Sequence, residues 1–236
     1  MQVAILLYPG MTTLDAIGPY EVLRFMPECK IRFVSEQPGP IVTDSGVLVL
    51  GATHSYEETQ TPDVIVVPGS EAHTATAMAD RKLISWLKLA HQSSQYTLSV
   101  CSGALVLGAA GILEGHPATT HWIAQDKLRA FGARSRPDER IVQSGKVMTA
   151  AGVSAGIDLA LTLAAEVHGR ERAERIQLLM EYDPQPPFDA GHPRKASETV
   201  LAKAREEMLA RSRNPRNLIS VPRILWRRTL DRIRGK

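Results

Sequence analysis

The 236-residue sequence contains few of the residue groupings that announce particular protein classes. It has two cysteines, Cys29 and Cys101, and neither a C-x-x-C pair nor an H-E-x-x-H helix. A disulfide scaffold is therefore not expected, and metal chemistry has no support. No run of about 18 apolar residues occurs, so no membrane-spanning helix is expected. The opening MQVAILLYPG enters a strand-like run without a basic segment, so no secretory signal is expected. No G-x-G-x-x-G follows a strand, and the small residues of GVSAGIDLALTLAA suit close helix packing better than nucleotide binding. Repeats and low-complexity tracts are absent. These absences suit a cytoplasmic chain with one structural and one functional thiol, although a Cys29–Cys101 disulfide is open in principle.

What is present describes an ordinary globule with an unusual tail. Apolar residues make up 44% and charged residues 22%, and the chain is long enough for a real core. The net charge of +3 is unevenly spread. Residues 201–236 hold 11 Lys/Arg against 3 Asp/Glu, a net +8, which leaves −5 on the first 200. In the tail Ile224, Trp226, Leu230 and Ile233 interleave with Arg223, Arg227, Arg228, Arg232 and Arg234. Contact with nucleic-acid phosphates or an anionic membrane is one reading; a helix docked on the acidic body is the plainer one. The expected division is a catalytic domain over 1–195 and a basic helical extension over 196–236.

Strand-like and helix-like segments alternate. Val3–Tyr8, Ile31–Val34, Val64–Val67 and Tyr96–Val100 read as buried strands, and Pro40–Leu50 and Ile141–Met148 as hairpins. Helices are expected over Leu14–Phe25, Lys82–His91, Ala104–Ala110, Trp122–Phe131, Val153–Val167 and Arg170–Tyr182. Pro184–Pro193 is too proline-rich for a helix and reads as an ordered loop. Such alternation implies an α/β fold, a mostly parallel open sheet with helices on both faces. Ligands of such sheets bind beyond the carboxyl ends of the strands, where the loops Pro9–Asp15, Pro68–Glu71 and Cys101–Gly103 should converge.

Cys101 sits where a strand turns sharply into a helix. Such an elbow lifts the side chain toward a crevice and sets free helix N–H groups beneath it, which favours a thiolate nucleophile. Asp15 stands at the start of the helix after the first strand, where a helix-dipole role would also explain it. Glu21 is the competing carboxylate. A carboxyl beside a thiolate should have a raised pKa and so hold a proton to give.

YPGMTTLDAIGPYEVL, VVPGS, SVCSGALVLGAAG, TTHW and MTAAGVSAGIDLAL, in this order, resemble the ThiJ/PfpI superfamily of the class I glutamine amidotransferase-like fold. With the later EYDPQPPFDAGHP they are most similar to its isonitrile hydratase branch. The resemblance covers roughly Val3 to Pro193. It implies a flavodoxin-like three-layer sandwich, a homodimer, no metal or organic cofactor, and hydration of an isonitrile to an N-substituted formamide. It assigns the nucleophile to Cys101 and the facing acid to Asp15, with Glu21 second. Ser102 stands where many members of the branch carry Thr, and it retains the hydroxyl. The N–H groups of Ser102 and of Ser70, after Gly69, are candidate donors to developing negative charge. His121 is a candidate proton shuttle, and Ser rather than His after Cys101 speaks against the protease-like arrangement of the PfpI branch. Pro187 and Phe188 should wall an apolar pocket or a dimer contact.

In the implied reaction neutral Asp15 protonates the isonitrile carbon as the Cys101 thiolate attacks it, then activates water against the thioimidate, with Ser102 orienting water or the substrate nitrogen. Two alternatives keep the same nucleophile or fold. One is a cofactor-free glyoxalase acting on methylglyoxal, with Glu21 or His121 as base. The other is a non-catalytic ligand or redox sensor, since the domain also occurs fused to helix-turn-helix modules in AraC-type regulators.

Overall fold

The computed structural model describes residues 1–212. In chain order the elements are β1 Gln2–Leu6, α1 Thr13–Leu23, β2 Lys30–Ser35, β3 Gly39–Val42, β4 Val49–Ala52, β5 His54–Ser55, β6 Val64–Val67, α2 Thr74–Ala79, α3 Arg81–Ser93, β7 Tyr96–Val100 and α4 Gly103–Ala109. There follow β8 Pro117–Ala118, α5 Gln125–Leu128, β9 Arg134–Ser135, β10 Ile141–Ser144, β11 Val147–Ala150, α6 Ala155–His168, α7 Arg170–Leu179 and α8 Glu198–Arg211. The tail residues from Arg223 to Arg234 on which the nucleic-acid, membrane and docked-helix readings rest lie outside the described residues.

Seven strands form the central sheet in the order β10-β11-β7-β6-β1-β2-β5, parallel throughout except for the antiparallel edge strand β10. Val64–Val67 is buried at every position, as expected of a strand covered on both faces. One helical layer contains α1, α6 and α7, and the other α2, α3, α4 and α5, each packed among its own members. The result is the flavodoxin-like sandwich that the alternating pattern implied. From β1 the chain moves outward to β2, then returns on the other side of β1 through β6 to β7. The crevice at this reversal lies between the loops leaving β1 and β6.

Close helix packing aligns the elements around that crevice. At Gly18 a Cβ would meet Ile157 Cγ1 at 3.1 Å, and at Gly156 it would meet Val100 Cγ2 at 3.0 Å and Pro19 Cδ at 3.2 Å. The absent side chains let α1 and α6 approach each other and β7. This fixes Asp15 on α1 relative to the turn before α6.

Beyond the unanticipated two-residue strands β5, β8 and β9, the structure departs from the sequence expectations in three helical segments. The helix α2, before α3, was not anticipated, because TATAMA carries no apolar periodicity; Asp80 separates the two by capping α3 through the N–H groups of Lys82 and Leu83 at 2.9 and 3.1 Å. Trp122–Phe131 is a short α-helix between two 3₁₀ turns, not one helix. There the buried Gln125 is drawn inward: its amide donates to Thr119 Oγ1 and the Thr120 carbonyl, and its oxygen accepts from Ser135 Oγ. Helix α7 stops at Leu179 rather than Tyr182, with Glu181 in the left-handed region at φ 49°. Pro184–Pro193 contains no helix or strand, as its prolines predicted.

Candidate active site

Cys101 follows β7 at φ 56°, the left-handed conformation of a sharp elbow, and is 6% exposed. A non-glycine residue there carries backbone strain, which the surrounding bonds hold in place. Its N–H donates to the Ala151 carbonyl at 2.9 Å, and its carbonyl accepts from Thr120 Oγ1 at 2.7 Å. The backbone N–H groups of Ser102 and Val153 reach its sulfur and favour the thiolate. Burial outweighs them and, with Asp15 nearby, pushes the thiol well above its usual range. The elbow's N–H groups thus favour the thiolate, as expected, while desolvation works against them and favours the thiol. Cys29 and Cys101 are both free thiols.

Asp15 is fully buried at the start of α1. Its Oδ2 accepts from the Gly69 N–H at 2.9 Å, whereas Oδ1 has no hydrogen-bond partner. Burial raises its carboxyl from 3.8 to about 8; the Gly69 N–H and the Cys101 thiol, both hydrogen-bonding to it, oppose the shift, and the charge of Asp44 adds to it. Since Gly69 occupies Oδ2, the proton is assigned to Oδ1, the oxygen free of backbone donors, with the Cys101 thiol the side chain in reach of the carboxyl.

Gly69 is required sterically, because a Cβ would lie 2.5 Å from Ser102 N and 2.6 Å from Ser102 Oγ. Ser70 is buried, and its N–H donates to Ser102 Oγ at 2.9 Å. That N–H is already used, so the proposed Ser70–Ser102 donor pair is not what the structure presents. Val153 N–H and Ser102 N–H face the sulfur instead. Ser102 Oγ also bonds the Ser70 carbonyl at 3.0 Å and Thr74 Oγ1 at 2.7 Å. Its hydroxyl ties the elbow to the loop after β6.

Glu21 is not brought to the thiol. Six residues advance a helix by about 600°, so Glu21 lies roughly 120° around α1 from Asp15. It is 41% exposed and pairs with Arg24 at 2.6 Å. His121 lines a cavity of about 800 Å³ beside the elbow, its ring against Gly152, and burial lowers its pKa so that it is neutral. Phe188, 79% exposed, stands in the outer wall of the same cavity.

Three contributors were not legible in the sequence. Val153 acts through its amide, which no side chain advertises. Tyr8 is buried with its hydroxyl donating to the Pro68 carbonyl at 3.0 Å, close enough to sense Asp15 and Cys101. Asp44, at the tip of the β3–β4 hairpin, accepts from Thr12 Oγ1 at 2.6 Å, and its own N–H donates to the Met11 carbonyl at 3.0 Å. The hairpin thereby holds the loop from which α1 and Asp15 begin.

A buried cysteine on a strained elbow, faced by a buried acid across the crevice of a doubly wound sheet, defines a class of α/β proteins built around a reactive thiol. Residues 1–166 match the DJ-1/PfpI family, and the chain belongs to it. It is 41% identical over 206 residues to the isonitrile hydratase of Pseudomonas putida, covering 87% of this chain and 89% of that one. It is 29% identical to the HTH-type transcriptional regulator CdhR of Pseudomonas aeruginosa, covering 72% of this chain and 52% of the regulator. A crystal structure of a ThiJ/PfpI family protein from Pseudomonas syringae superimposes with a TM-score of 0.86 at 36% identity, covering 89% and 87% of the two chains.

Proposed function

We propose that the protein hydrates isonitriles, converting R–N≡C to the formamide R–NH–CHO with Cys101 as nucleophile and Asp15 as proton relay. The observation that carries this reading is a buried Asp15, its carboxyl raised by burial, beside Cys101 in a chain 41% identical to an isonitrile hydratase over most of its length. A terminal isonitrile carbon needs both a proton and a nucleophile, and the two groups supply them together.

The steps follow from where the protons rest. The sulfur attacks the terminal carbon as Asp15 Oδ1 passes its proton to that carbon. The thiol hydrogen moves to the carboxylate just vacated, leaving Cys–S–CH=N–R and neutral Asp15. Water then adds to the CH carbon; the nitrogen takes a proton from Asp15 while the water returns one to it. Cleavage of the C–S bond in Cys–S–CH(OH)–NH–R sends the hydroxyl proton to sulfur and releases the formamide. The net change is one added water. The Ser102 and Val153 amides stabilise charge on sulfur as it attacks and leaves. Ser102 serves by holding the elbow against the loop at residues 69–74, and His121 borders the substrate space.

A homodimer in a reducing compartment such as the cytoplasm, which keeps both cysteines as thiols, belongs to the same reading; sedimentation equilibrium tests the dimer. The decisive experiment measures formamide production from para-nitrophenyl and cyclohexyl isonitrile, with D-lactate production from methylglyoxal run alongside. Turnover of isonitriles lost in Cys101→Ala supports the proposal. Equal isonitrile turnover in Cys101→Ala, or lactate production alone, overturns it. The regulator relative favours a sensor as the second reading; saturable binding of an isonitrile or formamide without turnover is its signature.

A further inference from the structure

The cavity beside the elbow has a floor and a wall of different origin. Its floor is the layer that touches Cys101: Thr120 at the carbonyl, Ala151 at the N–H and Val153 at the sulfur. The wall comes from Pro186, Phe188, His192 and the residues around them, all beyond the segment 1–166 that matches the family. Trp122 stands between the two, and Arg205 of α8 lies over its ring at 5.6 Å. The segment after the family core therefore lines one side of the cavity and also reaches the ring of its largest aromatic side chain.

The charged side chains that line the cavity, Glu139 with Arg136 among them, each have an ion-pair partner. Arg194 pairs with Asp138 at 2.6 Å, Lys195 with Asp189 at 2.6 Å, and Arg140 with Asp158. An anionic ligand would have to compete with these carboxylates for the same cations, and the apolar side chains around them add nothing to its binding. Among the uncharged polar side chains that line the cavity, burial lowers the pKa of His121 and favours its neutral form. A volume of about 800 Å³ is in the range of drug-sized ligands and far exceeds what a methyl group fills. Leu14, Trp122 and Phe188 supply apolar surface to such a group.

Resting on the hydratase reading, we propose that the wall built after the family core selects isonitriles whose R group is bulky, uncharged and flat, with Trp122 and Phe188 as the specificity-determining residues. Only the substituent distinguishes one isonitrile from another, since the reacting carbon is the same in all. Selection must therefore occur in the space the substituent occupies.

The test compares kcat/KM for para-nitrophenyl isonitrile with that for methyl isonitrile, and for methyl isocyanoacetate with that for isocyanoacetate. The aryl-to-methyl ratio should fall about tenfold in Phe188→Ala and in Trp122→Ala, and the ester should exceed the free acid by at least about tenfold. Phe188 is 79% exposed, so its replacement leaves the fold intact. A ratio unmoved by both substitutions, or an acid turned over as well as its ester, overturns the inference. If the wild type hydrates no isonitrile, the hydratase reading fails and the wall is judged by binding alone. In Cys101→Ala, N-(4-nitrophenyl)formamide should then quench tryptophan fluorescence saturably, with the signal lost in Trp122→Phe and the affinity weakened by Phe188→Ala. Absence of quenching overturns the wall as well.

Discussion

Replacing Asp15 by asparagine should remove turnover while stabilising the fold, and the size of the gain should depend on pH in a specific way. The carboxyl is fully buried, and burial raises it from 3.8 to about 8. The unfolded chain releases this proton near pH 4, whereas the folded chain keeps it until about pH 8. Between those values the unfolded state binds fewer protons, so wild-type stability falls with rising pH by ~1.4 kcal/mol per unit. Across the interval this amounts to ~6 kcal/mol, and by pH 7 to ~4 kcal/mol. Asparagine ionises in neither state and retains a carbonyl oxygen to accept the Gly69 N–H. The stability difference between variant and wild type should therefore be small near pH 4 and grow to ~4 kcal/mol at pH 7, or ~8–16 °C in Tm for a chain of this size. Urea unfolding of both proteins at pH 5, 6, 7 and 8 measures the slope directly. A difference that stays constant across that range would mean that Asp15 ionises near its ordinary value, and the proton relay built on Oδ1 would fall with it.

In the proposed mechanism the protonated form of Asp15 does the work, so kcat/KM should decline on the alkaline side with a midpoint near 8; Asp44→Asn should move that midpoint down, because the Asp44 charge helps to raise it. Gly69→Ala should cost at least ~2 kcal/mol in denaturant unfolding, since its Cβ would meet the Ser102 backbone nitrogen at 2.5 Å. Ser102→Ala should lose ~1–3 kcal/mol by stranding the buried Ser70 N–H, with Ser102→Thr, which keeps the hydroxyl, losing less on the same assay.

Much of the site was legible along the chain because its residues are local. The run Tyr96–Val100, ending at Cys101 before small residues, predicted both the strand and the elbow, and the strand occupies those residues. Asp15 could be picked out because it opens the helix that follows β1. Glu21 could not be separated from it by proximity in sequence, since both stand on one helix; helix rotation together with burial of one face decided between them. The place of the Val153 amide was not foreseen for a related reason. Ser70 is near the elbow by loop order, yet its N–H is taken by Ser102 Oγ, while Val153 approaches from a strand and turn more than fifty residues later.

By itself, then, the sequence determined the alternation of strands and helices, the doubly wound sheet that follows from it, and the cysteine at the strand-to-helix turn. These depend on short-range steric and hydrophobic patterns that a few neighbouring residues express. The protonation of the pair was decided only in three dimensions. A helix terminus favours a thiolate, but complete burial of Asp15 and near-complete burial of Cys101 reverse that preference, and burial is a property of the packed core. The cavity wall was decided there too: Pro186, Phe188 and His192 join Thr120, His121 and Val153 around one cavity only because the chain folds back from beyond residue 166.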